Sequence, residues 1–180
     1  ELGVHPYLFP MPVLMIATYG DDNVVDVMNM VWGGICAENM VSLNIDEDHK
    51  TAENIKKRGA FTLSIADIPH MEAADFFGIA SGNKMADKFQ RSGLTAVKSE
   101  KVDAPIVEEF PLTLECRVAE AKNEVYGFHV LGEIVGVLAE GKVDPTRLNA
   151  FVFDQFQNGY YAIGEKVGQA WNAGAGLMKK

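Results

Sequence analysis

Residues 26–36 of this 180-residue chain read Asp26-Val27-Met28-Asn29-Met30-Val31-Trp32-Gly33-Gly34-Ile35-Cys36. The stretch is apolar and carries no charge after Asp26, yet two adjacent glycines interrupt it. Glycine weakens a strand interior because it costs backbone entropy and offers no side chain to pack. We therefore expect a strand over 24–28 that runs into an open, irregular loop. Such a loop presents backbone N–H and C=O groups beside a large aromatic ring, which suits a flat ligand with polar edges.

Hydrophobic alternation places short strands on both sides of this stretch. Residues 13–17 are all apolar, which predicts a strand over 13–18 that is buried on both faces, and the turn-forming residues 20–23 join it to 24–28 as a hairpin. The other expected elements are strands over 41–45, 60–65, 112–119 and 126–139, the last bent at Gly132 or Gly136, and short helices over 52–58, 70–77 and 85–91. Many short strands with few helices favour a barrel over a βαβ fold.

The segments between these elements are expected to be irregular. They are a proline-rich lead-in over 1–12, a loop over 78–84, a polar surface crossing over 92–109, a turn over 121–124 and a tail over 174–180 that should fray. Within 112–119, Thr113, Glu115 and Arg117 should face solvent. Asp144-Pro145 is a typical helix start, with Asp at the N-cap. No linker or repeat divides the chain, so we predict one domain over 1–180.

Composition limits the classes of partner. The formal net charge is −9 and the pI about 4.9, which disfavours nucleic acid and anionic membranes because both require basic patches. Residues 2–20 contain no Asp, Glu, Lys or Arg, but three prolines interrupt the run, so we do not expect it to cross a membrane. Cys36 and Cys116 form no CxxC motif. A disulfide stays open, although two cysteines in a domain of this size favour free thiols in a reducing cytoplasm.

Several motif-based sites are missing from the sequence. Residues 78–85 superficially resemble a phosphate-binding P-loop, but the spacing is wrong and Met85 follows Lys84 where Ser or Thr should coordinate magnesium. No GxGxxG follows a strand and no GxSxG occurs, which argues against a Rossmann NAD site and a hydrolase nucleophile elbow. The histidines are scattered and no His/Cys/Asp set has metal-ligand spacing, so no metal site is predicted.

Seven short motifs occur in a fixed order along the chain. They are 13–19, Met28-Asn29-Met30-Val31-Trp32-Gly33-Gly34, Thr51-x-x-Asn54-Ile55, Gly59-x-Phe61, Asp75-Phe76-Phe77-Gly78-Ile79-Ala80-Ser81-Gly82, Lys88-Phe89 and Gly127-x-His129-x-x-x-Gly132-Glu133. The ordered set resembles the flavin reductase-like family over nearly the whole chain, residues 8–172, with flavoredoxin-like members the most similar. The resemblance implies a fold that is mainly β with short helices, an FMN-binding split β-barrel. It also implies a homodimer with FMN near the subunit interface.

The resemblance also implies a set of site residues. The family contacts the isoalloxazine ring through the backbone at 28–31 and the FMN phosphate through the segment that matches 49–51. The implied cofactor-binding set is Met28, Asn29, Met30, Val31, Trp32, His49, Lys50, Thr51, Ser81, Gly82, Lys84, Lys88 and Phe89. His129 matches the family's Gly-x-His element and is the candidate catalytic residue, near the flavin or the nicotinamide pocket.

Each candidate also has a structural interpretation. Thr51 is suited to cap helix 52–58, Trp32 to fill the core, and His129 to lie on a strand surface. The three lysines of the set are either phosphate ligands or solvated surface residues. Cys36, which follows the glycine pair, is expected to be a buried, inert thiol.

Two departures from the family pattern affect the expected FMN contacts. Asp46, Glu47 and Asp48 stand where relatives carry a basic residue with fewer acids beside it, and they would repel a phosphate unless they point away. Asn29 replaces the usual small hydroxyl residue, although its amide can still donate to a flavin carbonyl.

The resemblance implies FMN-dependent redox activity and leaves three functions open. The first expectation is an NAD(P)H-dependent flavin reductase, with NADH and NADPH not distinguished. The second is a flavoredoxin-type electron carrier that receives electrons from a redox protein. The third is a flavin-binding protein without turnover.

Overall fold

The computed structural model describes residues 1–141, 143–144 and 147–179, which are mainly β with short helices, as predicted. The strands are β1 (Met11–Pro12), β2 (Leu14–Tyr19), β3 (Val25–Met30), β4 (Gly33–Ala37), β5 (Met40–Ile45), β6 (Ala60–Ile65), β7 (Ala96–Lys98), β8 (Pro105–Val107), β9 (Leu112–Glu124), β10 (Gly127–Ala139), β11 (Phe151–Asp154) and β12 (Gly159–Ala162). The helices are α1 (Lys50–Arg58), α2 (Met71–Ile79) and α3 (Lys88–Arg91), with 3-10 turns at Asp21–Asn23, Ile68–His70 and Ala175–Lys179. Within these ranges, none of the helices has the length and apolar character needed to span a bilayer.

One curled sheet forms the body of the molecule. Its seven strands follow the order β3-β2-β6-β9-β10-β5-β4, and neighbouring strands are antiparallel. A flat sheet of this size is about 30 Å wide, yet only Val31 and Trp32 join its two edge strands, β3 and β4. That connection reaches at most about 11 Å. The sheet must therefore curl until its edges approach, which makes a barrel with a slit between β3 and β4.

Two glycines bend the long strand β10. The β9–β10 register shifts between Leu131 and Gly132 and again between Ile134 and Gly136. Both glycines are also sterically required, because a Cβ would lie 2.5 Å from the Phe61 ring at Gly132 and 2.1 Å from the Glu115 carboxylate at Gly136. Register shifts of this kind bend a strand, so they support the predicted bend at both positions.

Two apolar clusters explain the apolar run at the start of β2. Leu14 and Ile16 point into the barrel, where they pack with side chains from α1 and five other strands. Met15 and Ala17 point to the other face and pack against α2, α3 and β11. The predicted burial of both faces is confirmed, and β2 with its neighbour β3 forms the wall shared by barrel and helices.

The expected irregular loop at the glycine pair is wrong. Strand β3 continues to Met30, and Gly33 and Gly34 lie in the edge strand β4. The reason is a close approach: a Cβ on Gly33 would lie 2.8 Å from the Ser42 carbonyl oxygen of β5. Glycine here permits strand pairing that any larger residue would prevent.

Three other local predictions need correction. Residues 121–124 continue β9 instead of turning, and 92–109 contain the hairpin β7–β8 with buried side chains. Thr113 and Glu115 are buried, and each makes a side-chain hydrogen bond inside the protein. The Thr113 hydroxyl is 2.8 Å from the Ser64 hydroxyl, and Glu115 accepts a hydrogen bond from Ser99 at 2.6 Å. The helix start predicted at Asp144-Pro145 falls partly outside the described residues, since Pro145 is not among them.

The cysteines differ from expectation in one respect. Both thiols are free, as favoured by the composition. Cys36 is exposed on the edge strand β4, so the expectation that it is buried is wrong, whereas Cys116 lies in the barrel core. Burial raises the pKa of the Cys116 thiol to about 12, which leaves it unreactive.

Candidate functional site

A cavity of about 720 Å³, here called the ring cavity, opens at the slit of the barrel. Its walls come from β3 and the two residues after it, the end of β5, α2 and the hairpin β11–β12. The four residues predicted to contact the ring, 28–31, line it, and so does Trp32 of the implied cofactor-binding set. The volume falls within the range typical of small-molecule sites.

Strand β3 presents its backbone to the ring cavity. Among the strands of the described residues it pairs only with β2, so the N–H and C=O groups on its outer side have no strand partner there. The side chains of Met28 and Met30 are buried in the barrel core. Trp32 is 50% exposed, so the interpretation of Trp32 as a core residue is wrong. The described geometry favours main-chain contacts to a ligand at this edge.

Asn29 joins β3 to the opposite wall of the ring cavity. Its Nδ2 donates to the Ala74 carbonyl (3.0 Å) and to the Tyr160 hydroxyl (3.2 Å). The Tyr160 hydroxyl in turn donates to Asp75 Oδ1 at 2.9 Å. Both amide N–H groups of Asn29 are therefore used, and the expectation that this amide donates to a flavin carbonyl is wrong in this arrangement. Sequence reasoning missed Tyr160, which lies 131 positions from Asn29 on a strand that was not predicted.

A second cavity of about 110 Å³, here called the small cavity, continues the first. The two share wall residues that include Met28 and His49, and the small cavity adds Lys50, Ser81 and Gly82. Helix α1 begins at this point, and its N-cap residue makes no side-chain capping hydrogen bond. The first N–H groups of a helix lack intrahelical acceptors, and together with the helix dipole they favour an anion. The two cavities together form one continuous trough, and the end of it at the start of α1 is suited to a phosphate.

A buried ion pair lies under the small cavity. Lys88 Nζ is 2.9 Å from Asp26 Oδ1, with both side chains almost fully buried, and it also donates to the Ala80 carbonyl at 3.3 Å. Thr51 donates its hydroxyl proton to Asp26 Oδ2 at 2.7 Å. Asp26 thus connects β3, α1 and α3, and the hydrogen bond from Lys88 to Ala80 connects the loop at Ala80 to them. We call these three side chains, Asp26, Thr51 and Lys88, the buried network.

The buried network changes the interpretation of two predicted residues. Thr51 is not the N-cap, because the helix begins at Lys50, two residues earlier than predicted, and His49 is the N-cap. Its single hydroxyl proton goes to Asp26, which leaves only its backbone N–H to meet an anion directly. Lys88 is 3% exposed and paired, so it is not a solvated surface lysine.

Of the remaining predicted site residues, only some line a cavity. Lys50 lines the small cavity and pairs with Glu53 at 3.0 Å, whereas Lys84 is exposed and lines neither cavity. Phe89 is core and stacks on Phe77. His129 lies on β10, where its Nε2 meets the Ser42 hydroxyl at 2.9 Å, and it lines neither cavity. The structure brings together 28–32, 49–51 and 81–82 but not His129.

The acidic segment before α1 mostly points outwards. Asp46 is exposed at the rim of the ring cavity, and Glu47 accepts a hydrogen bond from Asn123 at 2.7 Å. Ligand atoms of Asp46, Asp48 and His49 lie within 4.8 Å of one another, all on exposed side chains. Three exposed ligands are fewer than Ca²⁺ takes, so the expectation of no metal site is retained as a prediction.

Comparison with known proteins places this geometry in a family. The sequence model of the flavin reductase like domain matches residues 7–160. Flavoredoxin of Desulfovibrio vulgaris (Miyazaki F) is 32% identical, with 97% of this chain and 98% of that chain covered and a TM-score of 0.88. Flavoredoxin from Methanosarcina acetivorans is 24% identical, with 99% of each chain covered and a TM-score of 0.85. An FMN-binding domain of a flavin reductases-like enzyme from Shewanella baltica OS155 is 17% identical, with 88% of each chain covered and a TM-score of 0.77.

The last two similarities, at such identities, concern the fold alone. The family match covers most of the chain, including the residues of both cavities, and the split-barrel architecture agrees with it. The predicted fold class is therefore confirmed. The chain belongs to the flavin reductase-like family of FMN-binding split-barrel proteins.

Proposed function

We propose that the chain binds one FMN, with the isoalloxazine ring in the ring cavity and the phosphate at the start of α1. The observation that carries this proposal is the continuous trough: edge-strand backbone lines one end, and a helix N-terminus without a side-chain cap closes the other. An isoalloxazine has polar groups along its edge that match free backbone groups. A phosphate matches the free N–H groups of α1. The residues present therefore fit both ends of the cofactor.

When bound, FMN supplies reversible uptake of one or two electrons, and the protein supplies position and electrostatics. The outer backbone of β3 orients the ring, and the half-exposed Trp32 covers part of the cavity mouth. The first turn of α1 holds the phosphate. The buried network fixes this turn relative to β3 and the loop at Ala80.

We infer that a protein donor, rather than a nicotinamide nucleotide, reduces the flavin. Among the described residues that line the ring cavity, Asp46 and Asp75 are carboxylates and none is Lys or Arg. NADH and NADPH carry a diphosphate, which proteins hold with basic side chains or a helix N-terminus. The α1 terminus is already assigned to FMN. A net charge of −9 favours association with a basic redox partner.

An NAD(P)H-dependent flavin reductase, the first expectation from the sequence, is the second candidate. The flavin reductase like description of the matched family supports it. So does the size of the ring cavity, about 720 Å³, which is large for a single ring system. A nicotinamide stacked on the flavin would use this space.

One experiment separates these functions. The purified chain should bind FMN at one per subunit by calorimetry and turn yellow. A protein that stays colourless and shows no saturable binding would exclude the proposed cofactor. As an electron carrier, it should stay yellow with NADH and with NADPH and bleach with dithionite or a reduced redox protein. Rapid bleaching by either nucleotide alone would instead establish the reductase.

We also propose that the chain forms a homodimer that covers the slit. Trp32, Ile79 and Tyr126 all line the ring cavity and are 50%, 77% and 64% exposed. Exposed apolar side chains grouped at a ligand site commonly mark an interface. Light scattering on the FMN-loaded protein should give the mass of two chains. A monomer that retains FMN would contradict this proposal.

A further inference from the structure

One wall of the ring cavity, here called the acceptor wall, consists of Asn29, Asp75 and Tyr160. The hydrogen bonds of these side chains show which atoms donate and which accept. Asn29 gives its two N–H groups to Ala74 and Tyr160, and Tyr160 gives its hydroxyl proton to Asp75. Burial first, and the neighbouring Asp75 second, raise the pKa of Tyr160 to about 12. The hydroxyl therefore keeps its proton at neutral pH and continues to donate it to Asp75.

The atoms left over on the acceptor wall are all acceptors. Asn29 Oδ1 and Asp75 Oδ2 receive no hydrogen bond from the described residues. Asp75 brings a carboxylate, and no Lys or Arg among the described lining residues offsets it. A ligand group that only accepts hydrogen bonds finds no side-chain donor here, and an anion meets a like charge. A group with an N–H to donate meets two lining side chains, Asn29 and Asp75, that each keep an acceptor oxygen unused.

We propose that the acceptor wall binds an amide N–H group on a flat ligand and rejects carboxylates, with Asp75 as the specificity-determining residue. The inference rests on the proposed function for the identity of the site. Two sources have this chemistry: the imide N–H of the flavin ring itself and the carboxamide of a second ligand beside it. Tyr160 acts as a positioning residue, because its hydroxyl fixes one oxygen of Asp75 and occupies one N–H of Asn29.

Benzamide and benzoate provide a matched pair of probes, since they share a ring and differ mainly in charge and donor capacity. Binding of each is measured by calorimetry to the full chain without FMN. Benzamide should bind at least about tenfold more tightly than benzoate. Asp75→Asn should reduce that preference to less than about threefold, because it removes the charge and adds a donor. Glu72→Gln is the control: it makes the same charge change on α2, on an exposed residue that does not line the cavity.

A second variant tests the positioning role. Tyr160→Phe keeps the ring but frees one N–H of Asn29 and removes the donor that orients Asp75. It should lower the preference for benzamide while leaving the charge of the wall unchanged. Benzamide binding that is absent or no tighter than benzoate binding, or a preference that Asp75→Asn does not alter, overturns the proposal.

The FMN-loaded protein then identifies the source of the amide. If FMN displaces benzamide, the flavin imide occupies the acceptor wall, and 3-methyl-FMN should bind about tenfold more weakly than FMN. If benzamide stays bound beside FMN, the wall serves a second ligand. FMN binding is measured independently of the probe preference. A protein that discriminates the probes but does not bind FMN would contradict the proposed function and leave this inference intact.

Discussion

Replacing Lys88 with methionine is expected to lower the free energy of unfolding by about 3–5 kcal/mol. The substitution keeps a long side chain of similar shape but leaves the Asp26 carboxylate buried without its cation. Urea denaturation of the FMN-free protein, followed by circular dichroism, measures the change. The double variant Asp26→Asn/Lys88→Met should recover most of the loss, because it removes both charges together.

Arg91→Met is the matched control for this prediction. It lies on the same helix, α3, and also removes a cation from an ion pair, here with Asp87 at 2.9 Å. Both partners are solvent-exposed, so the change in unfolding free energy should be too small to resolve. Equal effects of Lys88→Met and Arg91→Met would show that the buried network contributes little to stability.

Lys50→Pro should weaken FMN binding about tenfold to a hundredfold relative to Lys50→Ala. Both variants remove the ammonium group, but only proline also removes the first backbone N–H of α1. Proline is tolerated at this helix position. The preceding residue, His49, already has φ −74° and ψ 141°, which proline permits. The difference between the two variants therefore isolates one hydrogen bond to the proposed phosphate.

Riboflavin supplies the control, since it carries the same ring without the phosphate. Its dissociation constant, measured by quenching of flavin fluorescence, should be the same for Lys50→Pro and Lys50→Ala. If proline weakens both flavins equally, the start of α1 has been distorted. If it weakens neither, the phosphate binds elsewhere and the assignment of the small cavity fails.

The sequence predicts the parts of this fold that depend on local patterns. Apolar runs and alternation are sufficient to predict β2, β5 and β6, because strands follow hydrophobic periodicity. The glycine positions are sufficient to predict the bends of β10, because they reflect steric limits. The role of the glycine pair at 33–34 depends on how closely β5 approaches it. Backbone entropy, a local property, carries no information on that distance and predicts a loop where the structure has a strand. Contacts that sequence distance hides, such as Asn29 with Tyr160, had no local signal.

The candidate site also has features that the sequence predicts and features that depend on tertiary contacts. The segment 28–32 was identified through a resemblance, and the structure lines the ring cavity with it. The sequence leaves Lys88 as either a phosphate ligand or a solvated surface residue, since lysine is mostly exposed. Its burial depends on Asp26, 62 positions earlier in the chain. Buried charge pairs of this kind follow from tertiary structure, and composition gives no indication of them.

The unpaired edge of β3 has a consequence for how this site evolves. Every residue except proline carries the same main-chain N–H and C=O groups, so the cofactor proposed for this edge would exert little selection on individual side chains. Substitutions at such positions would then act through the curl of the sheet and not through ligand chemistry. Binding at this edge would persist while the side chains along β3 change.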